Sequence, residues 1–201
     1  MDSIDVTRAR RGRRRRATLL LLAAGLAMGS VGTGVFSLAV FTSSATNGLN
    51  SFTTGTVVIG TTPASTLIGF TGMLPGDSVT AALTVSNTGT AQLRYSMTTA
   101  TTNADGKALK DQLVLTIKTQ DTNTGGCANF NGTQLYTGAL SGALFGDPTQ
   151  GAQAGDRNLA AATNEILCFQ ASLPLSTGNT FQNAATTATF TFAAEQTSNN
   201  P

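Results

Sequence analysis

Residues 78–86 alternate between two kinds of side chain. Val79, Ala81, Leu83 and Val85 fall on one side, Ser78, Thr80, Thr84 and Ser86 on the other, and Ala82 blurs the polar side. Successive side chains of a strand point to opposite faces, so this period of two describes a half-buried strand and not a helix. Asn87-Thr88-Gly89-Thr90 then reads as a turn, and Leu93, Tyr95 and Met97 resume the alternation. Two such runs about a short turn predict a β-hairpin. The same alternation returns near the end of the chain, where Ala188, Phe190, Phe192 and Ala194 oppose Thr187, Thr189, Thr191 and Ala193.

Between and around these runs, strand and turn signals follow one another. Residues 52–59 and 66–70 are β-rich and separated by a turn at Pro63. Leu74-Pro75-Gly76-Asp77 reads as a tight turn, with proline setting one φ and glycine free to take a positive one. A short helix within residues 103–111 precedes a strand carrying Leu113, Leu115 and Ile117. Residues 121–164 are turn-rich, with Tyr136, Leu140 and Phe145 as anchors, and a structureless run of that length is uncommon in a compact domain. Residues 165–173 form the penultimate strand, and residues 197–201 are expected to fray. Thr, Ala, Gly, Ser and Asn dominate, which suits pleated surfaces and turns better than long helices. Seven or eight short strands predict an all-β domain over residues 61–196, a jelly-roll-like antiparallel β-sandwich preceded by a helical signal segment.

Charge is divided unevenly. Seven of the twelve basic residues are arginines between Arg8 and Arg16. Beyond Ala39, five bases face eight acids, a net charge near −3, so the sequence pI of 8.8 belongs to the leader. Nucleic-acid binding loses its support, because it needs clustered basic residues on the folded surface. Residues 1–16 form a basic n-region and residues 17–39 an apolar one with four consecutive leucines at 19–22, the order of an export signal. Ser37-Leu38-Ala39 places cleavage between Ala39 and Val40. The alternative is an uncleaved anchor, since residues 17–39 as a helix reach roughly 35 Å, enough to cross a bilayer. Both readings put the domain outside the cytoplasm, secreted or at the cell surface, with membrane contact through the leader. Paired arginines also suggest twin-arginine export, with little else of that motif present.

The two cysteines, Cys127 and Cys168, both lie in the exported part. One disulfide is the simplest reading in an oxidising compartment, and closing a loop of about 42 residues contributes roughly 4 kcal/mol. Two free thiols are the alternative.

No histidine is present, which excludes Ser-His-Asp and Cys-His triads and every His-based metal site. Lys107 and Lys110 leave a Ser-Lys dyad formally open, and Asp147 with Asp156 a carboxylate pair, but both sets lie in polar, loop-like sequence. Asn103-Ala104-Asp105-Gly106 and Asp121-Thr122-Asn123 resemble fragments of a calcium loop without its later ligands, and turn formation explains them better. Asn131-Gly132-Thr133 matches a glycosylation acceptor and is read as a turn. The expectation is a non-enzymatic protein without metal or cofactor.

Three short blocks carry a resemblance. Asn50, Phe52 and Gly55 in Asn50-Ser51-Phe52-Thr53-Thr54-Gly55-Thr56-Val57 form the first, just after the glycine-punctuated leader. Leu74-Pro75-Gly76-Asp77, followed by Val85-Ser86-Asn87-Thr88-Gly89, forms the second. In order and spacing they resemble the TasA/camelysin family. Glu165-Ile166-Leu167-Cys168-Phe169 and Leu173-Pro174-Leu175 resemble its cysteine-bearing actinobacterial branch. The resemblance implies a leader of the SipW-processed type, cut by a signal peptidase, and a secreted sandwich that builds biofilm-matrix fibres. It also implies that the segment after the leader, here within residues 40–60, acts as a donor strand for the next copy. Self-association is then the expected partnership, with other matrix or surface components possible. A monomeric adhesive module is the alternative. Camelysin is associated with metalloprotease activity, but no catalytic motif here matches one that can be carried over.

Overall fold

The structure, a computed structural model, describes residues 53–200. The leader, the Ala39–Val40 junction, Asn50 and Phe52 lie outside the described residues. Eight strands follow in order: β1 (Ile59–Thr62), β2 (Ser78–Asn87), β3 (Leu93–Thr101), β4 (Val114–Thr119), β5 (Gln134–Ala139), β6 (Arg157–Leu159), β7 (Thr163–Ser172) and β8 (Ala188–Gln196). A single helical turn, α1 (Leu109–Gln112), falls between β3 and β4. The strands form a five-stranded sheet in the order β1-β2-β7-β4-β5 and a three-stranded sheet in the order β6-β3-β8. Every pairing is antiparallel.

One apolar core joins the two sheets. Leu83, Val85, Leu115, Ile117, Leu167 and Phe169 come from the larger sheet and Leu93, Tyr95, Met97 and Leu159 from the smaller. They are the inward members of the period-two runs, and each large one contributes about 1.5–3 kcal/mol on burial. Tyr95, Phe145 and Phe192 pack edge-on or tilted, with ring centres 5.9–6.5 Å apart. On the outer face of the larger sheet, polar side chains bond across strands. Gln170 donates to the Thr80 hydroxyl at 3.0 Å, and the Thr116 and Thr137 hydroxyls lie 2.9 Å apart. The threonine-rich pattern thus satisfies itself laterally.

Five local expectations are corrected. The turn at 87–90 does not close a hairpin: β2 lies in the five-stranded sheet and β3 in the other. The reason is Asn87, whose buried amide donates to the carbonyls of Ala91, Leu159 and Ala160 at 2.9–3.1 Å and draws the chain across the sandwich. The strand expected at 52–59 is instead Ile59–Thr62, ended by Pro63, which lacks an N–H for the ladder. Residues 66–70 form no strand, and Leu67 and Ile68 pack on the core from irregular backbone. Residues 121–164 are not structureless, because β5 and β6 lie within them and Leu140 and Phe145 are buried. Thr197, expected in a frayed tail, donates its N–H to the Gln92 carbonyl, and Asn200 is buried.

A polar clasp crosses the core's edge. Tyr95 of β3 donates its hydroxyl to Glu165 of β7 at 2.6 Å, and Arg157 of β6 grips the same carboxylate through Nε and Nη2. Burial, then the neighbouring Glu165 carboxylate, raises the Tyr95 pKa far above its ordinary value, so the ring stays a neutral donor. Removing Glu165 orphans both partners. Glu165→Ala should lower unfolding free energy by about 2–4 kcal/mol and Tyr95→Phe by about 1–2 kcal/mol, measured by urea denaturation.

Candidate interaction site at the open sheet edges

The sequence blocks singled out above build turns and a crossing. Pro75 and Gly76 sit at the tip of a turn in which the Leu74 N–H donates to the Asp77 carboxylate at 2.8 Å and the Asp77 N–H to the Leu74 carbonyl at 3.0 Å. Gly76 takes φ +97°, which L side chains rarely adopt, and its N–H donates to Leu173 at 2.7 Å. Asn87 and Gly89 form the crossing, with the Gly89 N–H on the Asn87 side-chain oxygen. A Cβ on Gly89 would lie 2.2 Å from the Thr56 carbonyl oxygen, so only glycine permits the segment ahead of β1 to run there. That segment, including Gly55, is held by the Thr88 N–H on Val58 and the Thr90 and Ala91 N–H groups on Thr56. Val57 and Val58 remain exposed.

The edge strands among the described residues are β1 and β5 in the larger sheet and β6 and β8 in the smaller. The four residues of β1 pair only with Thr84–Asn87, leaving Ser78–Leu83 of β2 without a strand on that side. β5 ends the larger sheet. β8 ends the smaller one, and its nine residues pair only with β3. Proteins ordinarily blunt such edges with charge, proline or bulges. From Ala188 to Ala194, β8 has none of these, and Phe190 and Phe192 are only half-buried.

The loops hold their polar groups in internal service. Cys127 and Cys168 are joined, with Cα atoms 5.4 Å apart, pinning the loop after β4 to the middle of β7. Asp121, expected as a turn former, is buried, and its carboxylate accepts the N–H groups of Asn129 and Asn131 and the Thr124 hydroxyl. Burial opposes its ionisation, but these donors prevail and hold the carboxyl below the usual range. The Asp105 carboxylate is likewise occupied by the N–H groups of Lys107 and Ala185. Lys107 donates to the Gln182 carbonyl and Lys110 pairs with Asp111, so neither lysine bonds a serine. Asp156 accepts the Asp147 and Gln153 N–H groups, and Asp147 accepts from Thr149, so these acids close a loop and do not share a proton.

Residues 14–121 match the model of the camelysin metallo-endopeptidase family. The chain belongs to that family. A comparison with individually curated proteins returned no match. The match begins inside the arginine run at Arg14, takes in β1 to β4 and the turn and crossing motifs, and stops before both cysteines. A camelysin-type metallo-endopeptidase implies a metal, and this chain's donors do not fit one. The whole sequence has no histidine, both cysteines are consumed in the disulfide, and among the described residues no three Asp, Glu, Cys or His groups converge. No catalytic step through a metal is derived for this camelysin-family chain.

The sequence reading missed Arg94, Arg157, Glu165 and Glu195 as partners. A signal was there: each is a lone charge set in or beside a strand pattern, where an unpaired charge is costly. Arg94 is 6% exposed, and its Nε lies 2.6 Å from Glu195, its cross-strand neighbour. Two outcomes test this geometry. Because Asp121 has a lowered pKa, the stability it contributes is complete above the ordinary carboxylate value and is lost as pH falls through the lowered one. The urea midpoint should therefore drop below about pH 4, and Asp121→Ala should flatten that dependence. Gly89→Ala should displace residues 53–58, read as accelerated amide exchange at Thr88 and Thr90 while β7 stays protected.

Proposed function

We propose that this protein is an exported structural subunit of a biofilm matrix or cell-surface fibre. Copies assemble by strand addition, with residues 40–55 of one, ahead of the stretch that the crossing and β1 hold, pairing along the free edge of β8 in the next. The observation that carries this reading is the nine-residue, uncharged-to-Ala194 edge of β8 on the undersized sheet. Backbone N–H and C=O groups there are a template for an added strand, and a strand beside Phe190 and Phe192 also removes apolar surface from water. Residues 40–52 lie outside the described structure. Residues 53–58 touch the rest of the domain through the crossing, and no strand partner is assigned to them. A head-to-tail contact of this kind does not close on itself and generates a filament.

Family membership and the disulfide support export to an oxidising compartment, after a signal peptidase has removed the leader at Ala39–Val40. The proposed role is non-enzymatic: the donor set argues against a metallopeptidase, and no Ser-Lys or carboxylate dyad forms among the described residues.

The secreted protein should form fibres visible by electron microscopy and sediment as large species. The double substitution Thr189→Lys and Thr191→Lys, both on exposed positions of β8, should abolish fibres while circular dichroism is unchanged. Fibres that survive this change would exclude β8 as the acceptor. A strictly monomeric secreted protein would favour an adhesive module instead, and casein hydrolysis that persists through rigorous purification would restore the peptidase reading.

A further inference from the structure

Between the buried Phe145 and β6, residues 146–156 fold over the outer face of the smaller sheet. This stretch, Gly-Asp-Pro-Thr-Gln-Gly-Ala-Gln-Ala-Gly-Asp, has no large apolar side chain with which to anchor itself. Its two ends meet. Gly146 and Gly155 take φ +67° and +90°, and a Cβ on Gly155 would lie 2.9 Å from the Gly146 nitrogen. The loop is thus a body of residues 147–154 on a narrow glycine neck, pressed at its base against Ser96 of β3.

Beneath it lies the Arg94–Glu195 pair. Arg94 is ion-paired with Glu195 through Nε, but neither Nε nor the buried Nη2 makes a hydrogen bond. Arg94, Ser96, Asp147, Thr149, Asp156 and Glu195 line a cavity of about 40 Å³. The bonds that hold the loop down end on carboxylates. The Gly151 N–H donates to both oxygens of Glu195 at 3.0 and 3.3 Å. The Asp147 and Gln153 N–H groups donate to the two oxygens of Asp156 at 3.0 and 2.9 Å.

We propose that residues 147–154 are an acid-released lid, latched at neutral pH by the Gly151 N–H on Glu195 and opening to hydrate Arg94 when that carboxylate takes up a proton. An ionised carboxylate accepts only, whereas its protonated form loses much of its acceptor strength. Neutral Glu195 also leaves Arg94 as a buried cation without a counter-charge, a state whose cost is relieved by opening the lid to water. The charged groups facing the latch are Arg94 on β3, Glu195 on β8, and Asp147 and Asp156 on the loop. Arg157, the next residue, is committed to Glu165. Burial opposes the charge on Glu195, but the Asn200 amide, the Gly151 N–H and Arg94 together hold its pKa below the ordinary value. The latch is therefore complete above the ordinary carboxylate range and is lost as pH falls through the lowered value.

Amide hydrogen exchange of the purified protein, corrected for intrinsic rates, tests this. On moving from pH 7 to pH 3.5, the Gly151 amide should exchange about tenfold or more faster while those of β7 keep their protection. Glu195→Gln should produce the same acceleration at Gly151 at pH 7. A Gly151 amide that stays protected at pH 3.5, or that loses protection only together with β7, would overturn the lid, and the pH series on the unaltered chain decides this even if the variant does not fold.

Discussion

Asn87 sits at the end of β2 with its amide turned inward, donating to three carbonyls on two other segments and accepting the N–H of Gly89. An amide buried without partners is costly, so this geometry is strongly specified once the side chain points to the core. Its consequence reaches well beyond the turn. Because the chain is drawn toward β6 at this point, β3 leaves the sheet of β2 and starts the opposite one. The face-to-face core, the pairing of β3 with β8 and the closeness of Tyr95 to Glu165 all depend on that crossing.

The few charges of the described domain are spent on holding segments together. Glu165 joins the two sheets through Tyr95 and Arg157, Glu195 joins β8 to β3 and to the loop above them, and Asp121 organises the loop that the disulfide pins. Each carboxylate accepts from donors the backbone or a neighbour must otherwise leave unpaired. This accounts for how a domain poor in charge still carries nearly all of its acids in specific bonds. It leaves no convergent set free for chemistry among the described residues, and the histidine-free sequence removes the usual metal ligands throughout the chain.

The family is named for a metallo-endopeptidase, and the stretch its model matches is rich in backbone-shaping motifs. The matched region contains the leader from Arg14, and the turn at Pro75 and Gly76 and the crossing at Asn87 and Gly89, which shape backbone. The proposed acceptor is backbone as well: an edge strand that carries no charge from Ala188 to Ala194, on the smaller of two unequal sheets, with half-buried phenylalanines in it.

Strand identity was legible from residue order alone wherever one face is buried, because a period of two leaves a continuous apolar side: β2, β3, β4, β7 and β8 follow from it. So did the pairing of the cysteines, since there were only two, and the turn at 74–77, whose proline and glycine dictate local dihedrals. Residues 66–70 misled because burial of Leu67 and Ile68 demands no strand ladder, β5 stayed hidden because glycine and threonine dilute its alternation, and β6 because its three residues are too few to show one. Which strands become neighbours was decided only in three dimensions. A turn sequence such as 87–90 serves a hairpin or a crossing equally well, and the choice rests on carbonyls of Leu159 and Ala160, some seventy residues away. The same holds for the partners of the lone charges and for the open edge of β8, since pairing is a property of contacts distant along the chain.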